Sequence, residues 1–354
     1  MRQRYFRSFF STLLLAVFLF SGCTQSSVFS SSPGIISSGL TVSIPEKADS
    51  QPETTSSKSV SGLSAVLDGE AYEGRLAIWF FNVDKPGETE NVDAGDTILM
   101  RSPDGQAMMI DTGYSETIGG ILENIRQIGV AQIDYLIATH MHSDHVSGAD
   151  EVLDALPVGK VLTSRFAYRK VGTALKFMNV LSERGVTPEI IKEGDSFSFG
   201  ESVTVEVLSP VDDGSEIPDD PYSNQHTVNE NSLVLKVIYG ENVFLFTGDI
   251  ERGTESRLVD TYGDGIQADL LKVPHHGYST SSSRKFVQVV KPEIAVVPQC
   301  IMPNLDIYDR YLNAGTDVYV TGMDGIVLAV SDGKTIDMIT EKDREDRGSS
   351  TQPQ

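Results

Sequence analysis

Residues 135–145 read YLIATHMHSDH, an apolar run followed at once by a segment with three histidines and an aspartate. The apolar half predicts a buried strand, and the polar half predicts a loop that leads into a helix. Four metal-capable side chains, His140, His142, Asp144 and His145, fall within six positions, so one loop can direct several of them at one point. Neutral imidazole and carboxylate groups suit zinc and similar divalent ions. The stretch therefore predicts a metal centre at the end of a strand.

Three further polar pieces also follow apolar runs. They are Asp111 after residues 107–110, Asp249 after residues 243–246, and His275 with His276 after residues 270–273. Because a layered α/β domain assembles its site at the carboxyl ends of its strands, we expect all the pieces to meet there. Together they offer enough ligands for two metal ions about 3.5–4 Å apart.

Short apolar runs alternate with helical patterns along the chain. Strands are predicted at residues 76–81, 97–100, 107–110, 135–138, 160–162, 203–207, 233–237, 243–246, 270–273 and 294–297. Helices are predicted at residues 118–128, from about 148, and at 251–262, 283–290 and 307–313. Many strands with interspersed helices predict an α/β fold of sheets packed face to face and covered by helices.

Composition narrows the class of protein. Of 354 residues 40% are hydrophobic, which is typical of a globular chain, and 50 acidic against 28 basic residues give a net charge of -22. We therefore expect no tight bulk binding of nucleic acid, and DNA contacts would depend on the metals and on local basic residues. Those residues are Arg165, Arg169, Lys170, Arg284 and Lys285. Two cysteines exclude a disulfide scaffold and a cysteine-rich zinc module.

The amino terminus has the pattern of an export signal. Three arginines within the first seven residues precede an apolar run at 9–20, which is shorter than the roughly 20 residues of a membrane span. The run ends in LFSGC at Cys23, which resembles a bacterial lipoprotein box. We predict that residues 1–23 are a lipoprotein signal peptide and that Cys23 carries the lipid. The alternative is an uncleaved amino-terminal anchor, and both place the protein outside the cytoplasm on a membrane.

The rest of the chain divides by composition. Residues 24–73 are rich in Ser, Thr and Pro, which predicts a disordered tether. Residues 74–340 carry the strand and helix patterns and predict the catalytic domain. Residues 341–354 are charged and polar, and a disordered tail is expected there.

The combined motif pieces resemble the metallo-β-lactamase superfamily, and the resemblance covers residues 75–340. It rests on HxHxDH at residues 140–145, Gly-Asp at 248–249 and His-His-Gly at 275–277. Within that superfamily, residues 92–99, 229–235 and 271–283 resemble the ComEC-like hydrolase domains of DNA-uptake competence proteins. The resemblance implies an αββα sandwich, in which two mixed β-sheets are flanked by helices.

The resemblance also implies two divalent metal ions, with zinc as the expected metal and manganese as the alternative. The implied ligands are His140 and His142 for the first ion, Asp144, His145 and His275 for the second, and Asp249 as the bridge. The resemblance leaves open whether the histidine of the second ion is His275 or its neighbour His276. With His275 as that ligand, His276 is left for catalysis beside Asp144 and Asp249.

Further roles follow from the same resemblance. Asp111 would orient a ligand imidazole, and Tyr278 and Ser279 would contact substrate. The superfamily's middle histidine has no clear match, because His226 lies in a loop rich in Pro, Asp and Asn. The subgroup usually has an asparagine near Asn231 instead, so the third ligand of the first ion stays open. Asn231 itself would lie beside the metal ligands or contact substrate.

The expected function is metal-dependent hydrolysis of a phosphodiester by a metal-activated hydroxide, with DNA as a candidate substrate. The partners are an anionic phosphodiester substrate, either DNA or a cell-wall polymer, and the membrane through the lipid anchor, and a monomer is expected. One alternative is a teichoic acid phosphoesterase, since the Thr-His-x-His-Ser-Asp-His form at residues 139–145 also resembles choline-phosphate esterases. Hydrolysis of a β-lactam or lactone is a further alternative. A non-catalytic metal-binding surface module is the remaining one.

Overall fold

The computed structural model describes residues 61–83, 95–170, 172–217 and 225–344. The predicted signal peptide, Cys23, the tether up to residue 60 and the tail from residue 345 lie outside the described residues. None of the helices in the described ranges is long and apolar enough to cross a membrane.

The described residues form fifteen strands and ten α-helices. The strands are β1 Leu76–Phe80, β2 Ile98–Arg101, β3 Ala107–Ile110, β4 Ile133–Ala138, β5 Val158–Thr163, β6 Glu189–Ile190, β7 Ser196–Phe199, β8 Val203–Ser209, β9 Val234–Tyr239, β10 Asn242–Phe246, β11 Leu270–Lys272, β12 Ile294–Val297, β13 Asp317–Val320, β14 Val327–Ser331 and β15 Ile336–Thr340. The helices are α1 Leu63–Val66, α2 Ile118–Gln127, α3 Ser143–Val146, α4 Ala149–Ala155, α5 Gly172–Glu183, α6 Gln225–Glu230, α7 Arg252–Tyr262, α8 Arg284–Val290, α9 Leu305–Asn313 and α10 Thr321–Asp324.

The strands form two mixed sheets. The first has the order β15-β14-β1-β2-β3-β4-β5-β6, and the second has the order β13-β12-β11-β10-β9-β8-β7. In the first sheet β3 to β6 are parallel, and in the second β10 to β13 are parallel, while the remaining neighbours are antiparallel. The predicted α/β sandwich of two mixed sheets flanked by helices is confirmed.

Alternation within the strands builds three apolar layers. Leu76, Ile78 and Phe80 of β1 belong to the cluster between the sheets, whereas Ala77 and Trp79 belong to the cluster under the helices of the first sheet. A third cluster lies between the second sheet and its helices. Strands such as β1, β3, β11 and β14 are therefore buried on both faces, which explains their near-continuous apolar sequence.

The predicted end of the tether at residue 73 is wrong. Residues 61–73 fold onto the domain, where the Trp79 Nε1–H donates to the carbonyl of Val66 at 2.6 Å and the Tyr72 hydroxyl donates to the carbonyl of Ala65 at 2.9 Å. The predicted tail also begins too early, because the backbone N–H of Glu341 donates to the carbonyl of Ile326 at 2.9 Å. Both segments adjoin polar, low-complexity residues in the sequence, and their order comes from contacts with distant parts of the domain.

Candidate metal centre

The motif pieces meet at one edge of the sandwich, where strands of both sheets end. Asp111 follows β3 and His140 follows β4, and these strands are parallel neighbours in the first sheet. Asp249 follows β10 and His276 follows β11, which are parallel neighbours in the second sheet. Parallel neighbours end at the same edge, so loops distant in sequence converge there. The N–H of Leu233 donates to the carbonyl of Thr139 at 2.9 Å and ties the two edges together.

The backbone around the site is held in the left-handed region. Asp111, His275 and His276 have φ of 57°, 46° and 51°, which costs of order 1–3 kcal/mol for each non-glycine residue. Gly248 has φ of 48°, and a Cβ there would lie 2.8 Å from the Cβ of Ser232. Position 248 therefore requires glycine both for its backbone angle and for space. Such strain persists only where the surrounding structure enforces it.

One cluster of donor atoms joins His140, His142 and Asp249. His140 Nε2 lies 3.1 Å from His142 Nδ1 and 3.8 Å from Asp249 Oδ2. The other ring nitrogen of His142, Nε2, is buried without a hydrogen-bond partner. Two imidazoles and a carboxylate directed at one point fit a divalent ion.

A second cluster joins Asp144, His145, Asp249 and His276. Oδ2 of Asp249 lies 3.2 Å from His145 Nε2 and 3.2 Å from His276 Nε2. Oδ2 of Asp144 lies 3.5 Å and 3.6 Å from the same two nitrogens. The carboxylate of Asp249 belongs to both clusters, so it would be a ligand of either ion if both clusters held metal.

Outer partners fix the orientation of the histidine rings. The Nδ1–H of His145 donates to Oδ2 of Asp111 at 2.7 Å, and that carboxylate also accepts from the N–H and hydroxyl of Thr139 at 2.7 and 2.6 Å. The Nδ1–H of His276 donates to the carbonyl of Pro298 at 3.0 Å. Both interactions leave Nε2 free to face the cluster. The structure thus places Asp111 where its expected role requires it.

Burial and neighbouring charges shift the pKa values of the site residues in opposite directions. Burial lowers the pKa of His140 well below its ordinary value and also lowers the pKa of His142. Burial alone would raise the pKa of Asp249, but the neighbouring His276, His145 and Lys272 hold it well below its usual range. Burial alone would lower the pKa of His276, but the charge of Asp249 and the hydrogen bonds to Asp144 and Asp249 together outweigh burial and raise that pKa to about 9.

Zinc binding is therefore expected to release a proton from His276 at pH 7. The metal-free imidazole with a pKa of about 9 is protonated there, whereas a ligand imidazole is neutral. The apparent zinc affinity should fall by about tenfold per pH unit for each proton displaced as the pH is lowered. Low pH thus weakens zinc binding, but in the metal-free protein it favours the fold. The raised pKa of His276 stabilises the metal-free fold fully below about pH 6.5, and this stabilisation is lost as the pH rises through about 9.

Titration calorimetry in buffers of different ionisation enthalpy counts the released protons. Zinc binding at pH 7 with no net proton release would contradict the ionisation assigned to His276.

The metal clusters form the floor of a cleft of about 390 Å³. Its lining is polar and aromatic: Tyr114, His142, Ser143, Asp144, Thr173, Gln225, His226, Asn229, Asp249, Glu251, His275, His276 and Tyr278. Among the described residues, no lysine or arginine lines the cleft. A cleft of about 430 Å³ on the Thr227 and Glu230 side of α6 is lined by no histidine in the described ranges, so the chemistry belongs to the first cleft.

Sequence comparison agrees with this geometry. Residues 91–299 match the family model described as the metallo-beta-lactamase superfamily. The chain belongs to the metallo-beta-lactamase superfamily. Its fold implies a metal-dependent hydrolase, and the two histidine and aspartate clusters support divalent metal ions at this edge.

Curated relatives of this metallo-beta-lactamase domain include competence proteins. ComE operon protein 3 of Bacillus subtilis (strain 168) is 29% identical over 230 residues, which are 60% of this chain and 28% of that protein. Competence protein ComA of Neisseria gonorrhoeae is 28% identical over 209 residues, which are 58% of this chain and 26% of that protein. The chain thus spans about a quarter of the length of these relatives. The expected ComEC-like subgroup is confirmed.

One solved protein that is similar to the chain is named for the metallo-beta-lactamase fold. The metallo-beta-lactamase fold protein YhfI from Bacillus subtilis is similar over 70% of this chain and 95% of its own, with a TM-score of 0.45 and 12% sequence identity.

Of the two adjacent histidines of this metallo-beta-lactamase domain, the structure favours His276 over His275 as the candidate ligand. His276, expected to be catalytic, belongs to the four-residue cluster, and His275, expected to be a ligand, does not. The His275 Nδ1 lies 2.8 Å from the Thr280 hydroxyl, and its Nε2 lies 4.0 Å from Asp249 Oδ2. The left-handed turn after β11 directs the two adjacent rings differently, so His275 forms a wall of the cleft.

The expected role of Asn231 near the ligands is also wrong. Its side-chain amide donates to the carbonyl of Thr227 at 2.7 Å and lines the neighbouring cleft. Asn229, which the sequence did not single out, donates to Glu251 Oε1 at 3.0 Å and lies 3.3 Å from His275 Nε2. Helix α6 explains the exchange, because Gln225, His226 and Asn229 share the face that lines the metal cleft.

A matched pair of variants tests this placement. Asn229→Ala should lower kcat/KM for a phosphodiester about 3- to 10-fold, the worth of roughly 1 kcal/mol of hydrogen bonding. Asn231→Ala should change kcat/KM less than about 2-fold, because it removes only a local bond to Thr227 at the end of α6. Steady-state kinetics with melting temperatures for both variants gives the comparison, and equal losses of activity would contradict it.

Tyr278 and Ser279 have different outcomes. Tyr278 lines the cleft, with its ring centroid 5.2 Å from that of His275. Ser279 is not among the lining residues, and its carbonyl accepts from Arg252 Nη2 at 2.7 Å. Thr280, the next residue, is the one that contacts His275. The expected substrate contact of Ser279 is therefore not supported.

Proposed function

We propose that this domain is an extracytoplasmic phosphodiesterase that uses two divalent ions, with zinc as the expected metal and manganese as the alternative. The observation that carries the proposal is Oδ2 of Asp249, which faces the imidazoles of both clusters at 3.2 to 3.8 Å in the floor of an open cleft. An arrangement of two ions that share a carboxylate suits in-line displacement at phosphorus.

Different residues of the site would hold the two ions, orient the ligand imidazoles and position the substrate. His140, His142 and Asp249 would hold one ion, and Asp144, His145, His276 and Asp249 would hold the other. When bound, such ions activate water and stabilise charge on the phosphoryl oxygens. Asp111 keeps the proton of His145 on Nδ1, so that Nε2 stays available as a ligand. Asn229 and Tyr278 lie on the wall, where their polar groups can orient the substrate.

The absence of lysine and arginine among the described lining residues limits how substrate binds. Of the basic residues expected to assist, Arg165 is paired with Asp212 at 2.9 Å and Lys285 with Asp260 at 2.7 Å. The metal ions would therefore supply most of the positive charge that attracts a phosphate. This supports recognition of one phosphodiester at a time, in DNA or in a cell-wall polymer.

Salt dependence provides a test of this point. For single-stranded DNA, log(kcat/KM) should fall with log salt with a slope of about -1, since few phosphates are neutralised. An extended cationic groove gives a slope several times steeper. Initial rates between 50 and 300 mM salt distinguish the two cases, and a diester with no charged groups next to the scissile bond is the control. A slope steeper than about -3 would contradict local recognition.

The substrate class is tested with the metal-loaded domain. We expect turnover of bis-p-nitrophenyl phosphate, lost in His142→Ala and retained in Lys285→Met, whose ammonium pairs with Asp260 on the surface. Single-stranded DNA, suggested by the sequence resemblance to ComEC-like domains, and teichoic acid are then compared by kcat/KM. Nitrocefin turnover without diester turnover would replace the proposal with the lactamase alternative. Metal binding with no turnover of any of these would replace it with the binding module.

We also propose that a lipid on Cys23 tethers the domain to the membrane. The support is the export pattern of residues 1–23 and the LFSGC box. Wild-type protein should fractionate with membranes and incorporate labelled palmitate, whereas Cys23→Ala should do neither. Membrane retention of Cys23→Ala would favour the uncleaved anchor.

A further inference from the structure

Lys272 is a fully buried lysine at the end of β11, next to the metal clusters but in none of them. Its Nζ lies 2.7 Å from Asp96 Oδ2, 2.8 Å from the carbonyl of Gly248 and 3.3 Å from Asp249 Oδ1. An ammonium has three donors, so these partners occupy all of them. The ammonium is therefore fixed in direction and is not available to a substrate.

The contact with Lys272 gives the two carboxylate oxygens of Asp249 different partners. Oδ1 faces the ammonium, whereas Oδ2 faces the ring nitrogens of His145 and His276 at 3.2 Å each and of His140 at 3.8 Å. Without a donor on Oδ1, the carboxylate could turn and offer both oxygens to a single ion. The ammonium thus holds the one orientation in which a single oxygen reaches both clusters.

Lys272 also contacts a group of buried carboxylates beside the two metal clusters. Asp96, Asp111 and His145 form a third group with metal-like spacing, and all three side chains are buried. The Lys272 ammonium lies against Asp96 in this group, where it supplies a fixed positive charge. This protein cation balances one of the buried carboxylates and leaves the divalent ions to the clusters around Asp249.

We propose that Lys272 is a positioning residue: it directs Oδ2 of Asp249 to both clusters and so enables two ions, not one, to bind tightly. The proposal rests on the two-ion site proposed above. It assigns to Lys272 no contact with substrate, so its effect is on metal stoichiometry first and on turnover as a consequence.

The test is the zinc content of Lys272→Met at equilibrium. Methionine keeps the length and packing of the side chain but removes the donors and the charge. We expect wild-type protein to bind two ions, and Lys272→Met to bind one ion tightly with the second weakened about 10- to 100-fold, as for loss of other outer partners. Elemental analysis after dialysis against a series of buffered zinc concentrations gives both values. Lys285→Met is the matched surface control and should bind two ions as wild type does.

A second variant separates positioning from folding. Lys272→Met alone leaves Asp96 buried without its cation, whereas Asp96→Asn with Lys272→Met removes both charges together. The double variant should melt near the wild-type temperature in chelator and still bind the second ion weakly. Wild-type affinity for two ions in Lys272→Met or in the double variant would overturn the role of Lys272. A wild-type protein that binds fewer than two ions would instead overturn the two-ion site itself.

Discussion

Asp249→Asn is expected to bind neither metal ion tightly and to lose phosphodiester turnover. The Oδ2 atom of Asp249 belongs to both donor clusters, and its Oδ1 atom accepts from Lys272. An asparagine amide must direct its NH₂ group either at the ligand imidazoles or at the Lys272 ammonium, and both orientations are unfavourable. The loss should exceed the about 10- to 100-fold that removal of an outer partner costs.

Elemental analysis and the rate with bis-p-nitrophenyl phosphate measure the two losses on the same preparation. Asp260→Asn is the matched control, because Asp260 is an exposed aspartate whose partner is Lys285. Unchanged metal content in Asp249→Asn would show that the two clusters do not form the metal centre.

Removal of the metal ions is expected to lower the melting temperature on the order of 10 °C. Asp96, Asp111 and Asp249 are buried, and Asp144 is close to them. The metal-free site therefore holds four carboxylates, whose charge the buried Lys272 and the protonated His276 balance only in part. Zinc at about 1,000 times its dissociation constant would stabilise the fold by about 4 kcal/mol. For a domain of this size that stabilisation corresponds to roughly 2–4 °C per kcal/mol.

Thermal unfolding with EDTA, and again after zinc is restored, gives this shift. Asp249→Asn is the internal control, since a protein that does not hold the ions should show little response to either addition. Equal melting temperatures with and without chelator in the wild-type protein would contradict a buried metal centre.

The sequence located the centre because the ligands follow apolar strands. Residues 107–110 and 135–138 were predicted as strands from their apolar runs, and they are parallel neighbours in the first sheet, so Asp111 and His140 lie at the same edge. Residues 243–246 and 270–273 bring Asp249 and His276 together in the second sheet in the same way. The fold followed from the same runs and from the resemblance carried by HxHxDH at residues 140–145. These features are local in sequence, which is why a single chain predicts them.

The errors arose where direction depends on distant contacts. His275 and His276 are adjacent, and only the left-handed backbone after β11 decides which ring faces Asp249. Asn229 and Asn231 are two residues apart, and only helix α6 decides which of them faces the cleft. No local pattern distinguishes the members of either pair.

The boundaries of the domain have a similar explanation. Residues 61–73 were grouped with the Ser-, Thr- and Pro-rich residues that precede them, and they are held to the domain by contacts such as the hydrogen bond from Trp79 to Val66. Strands β13 to β15 were also not predicted, although β14 and β15 complete one edge of the first sheet. Lys272 and Asp96 were present in the motifs but had no assigned role, because a buried ion pair is visible only in three dimensions.

Anomalous diffraction at the zinc edge from crystals of the metal-loaded domain tests the central claim most directly. We expect two zinc peaks about 3.5–4 Å apart, one on each side of Oδ2 of Asp249. The peak near His140 and His142 and the peak near His145 and His276 should have comparable occupancy at saturating zinc. A single peak, or two peaks with Asp249 outside the coordination distance of both, would contradict the shared carboxylate on which the proposed chemistry depends.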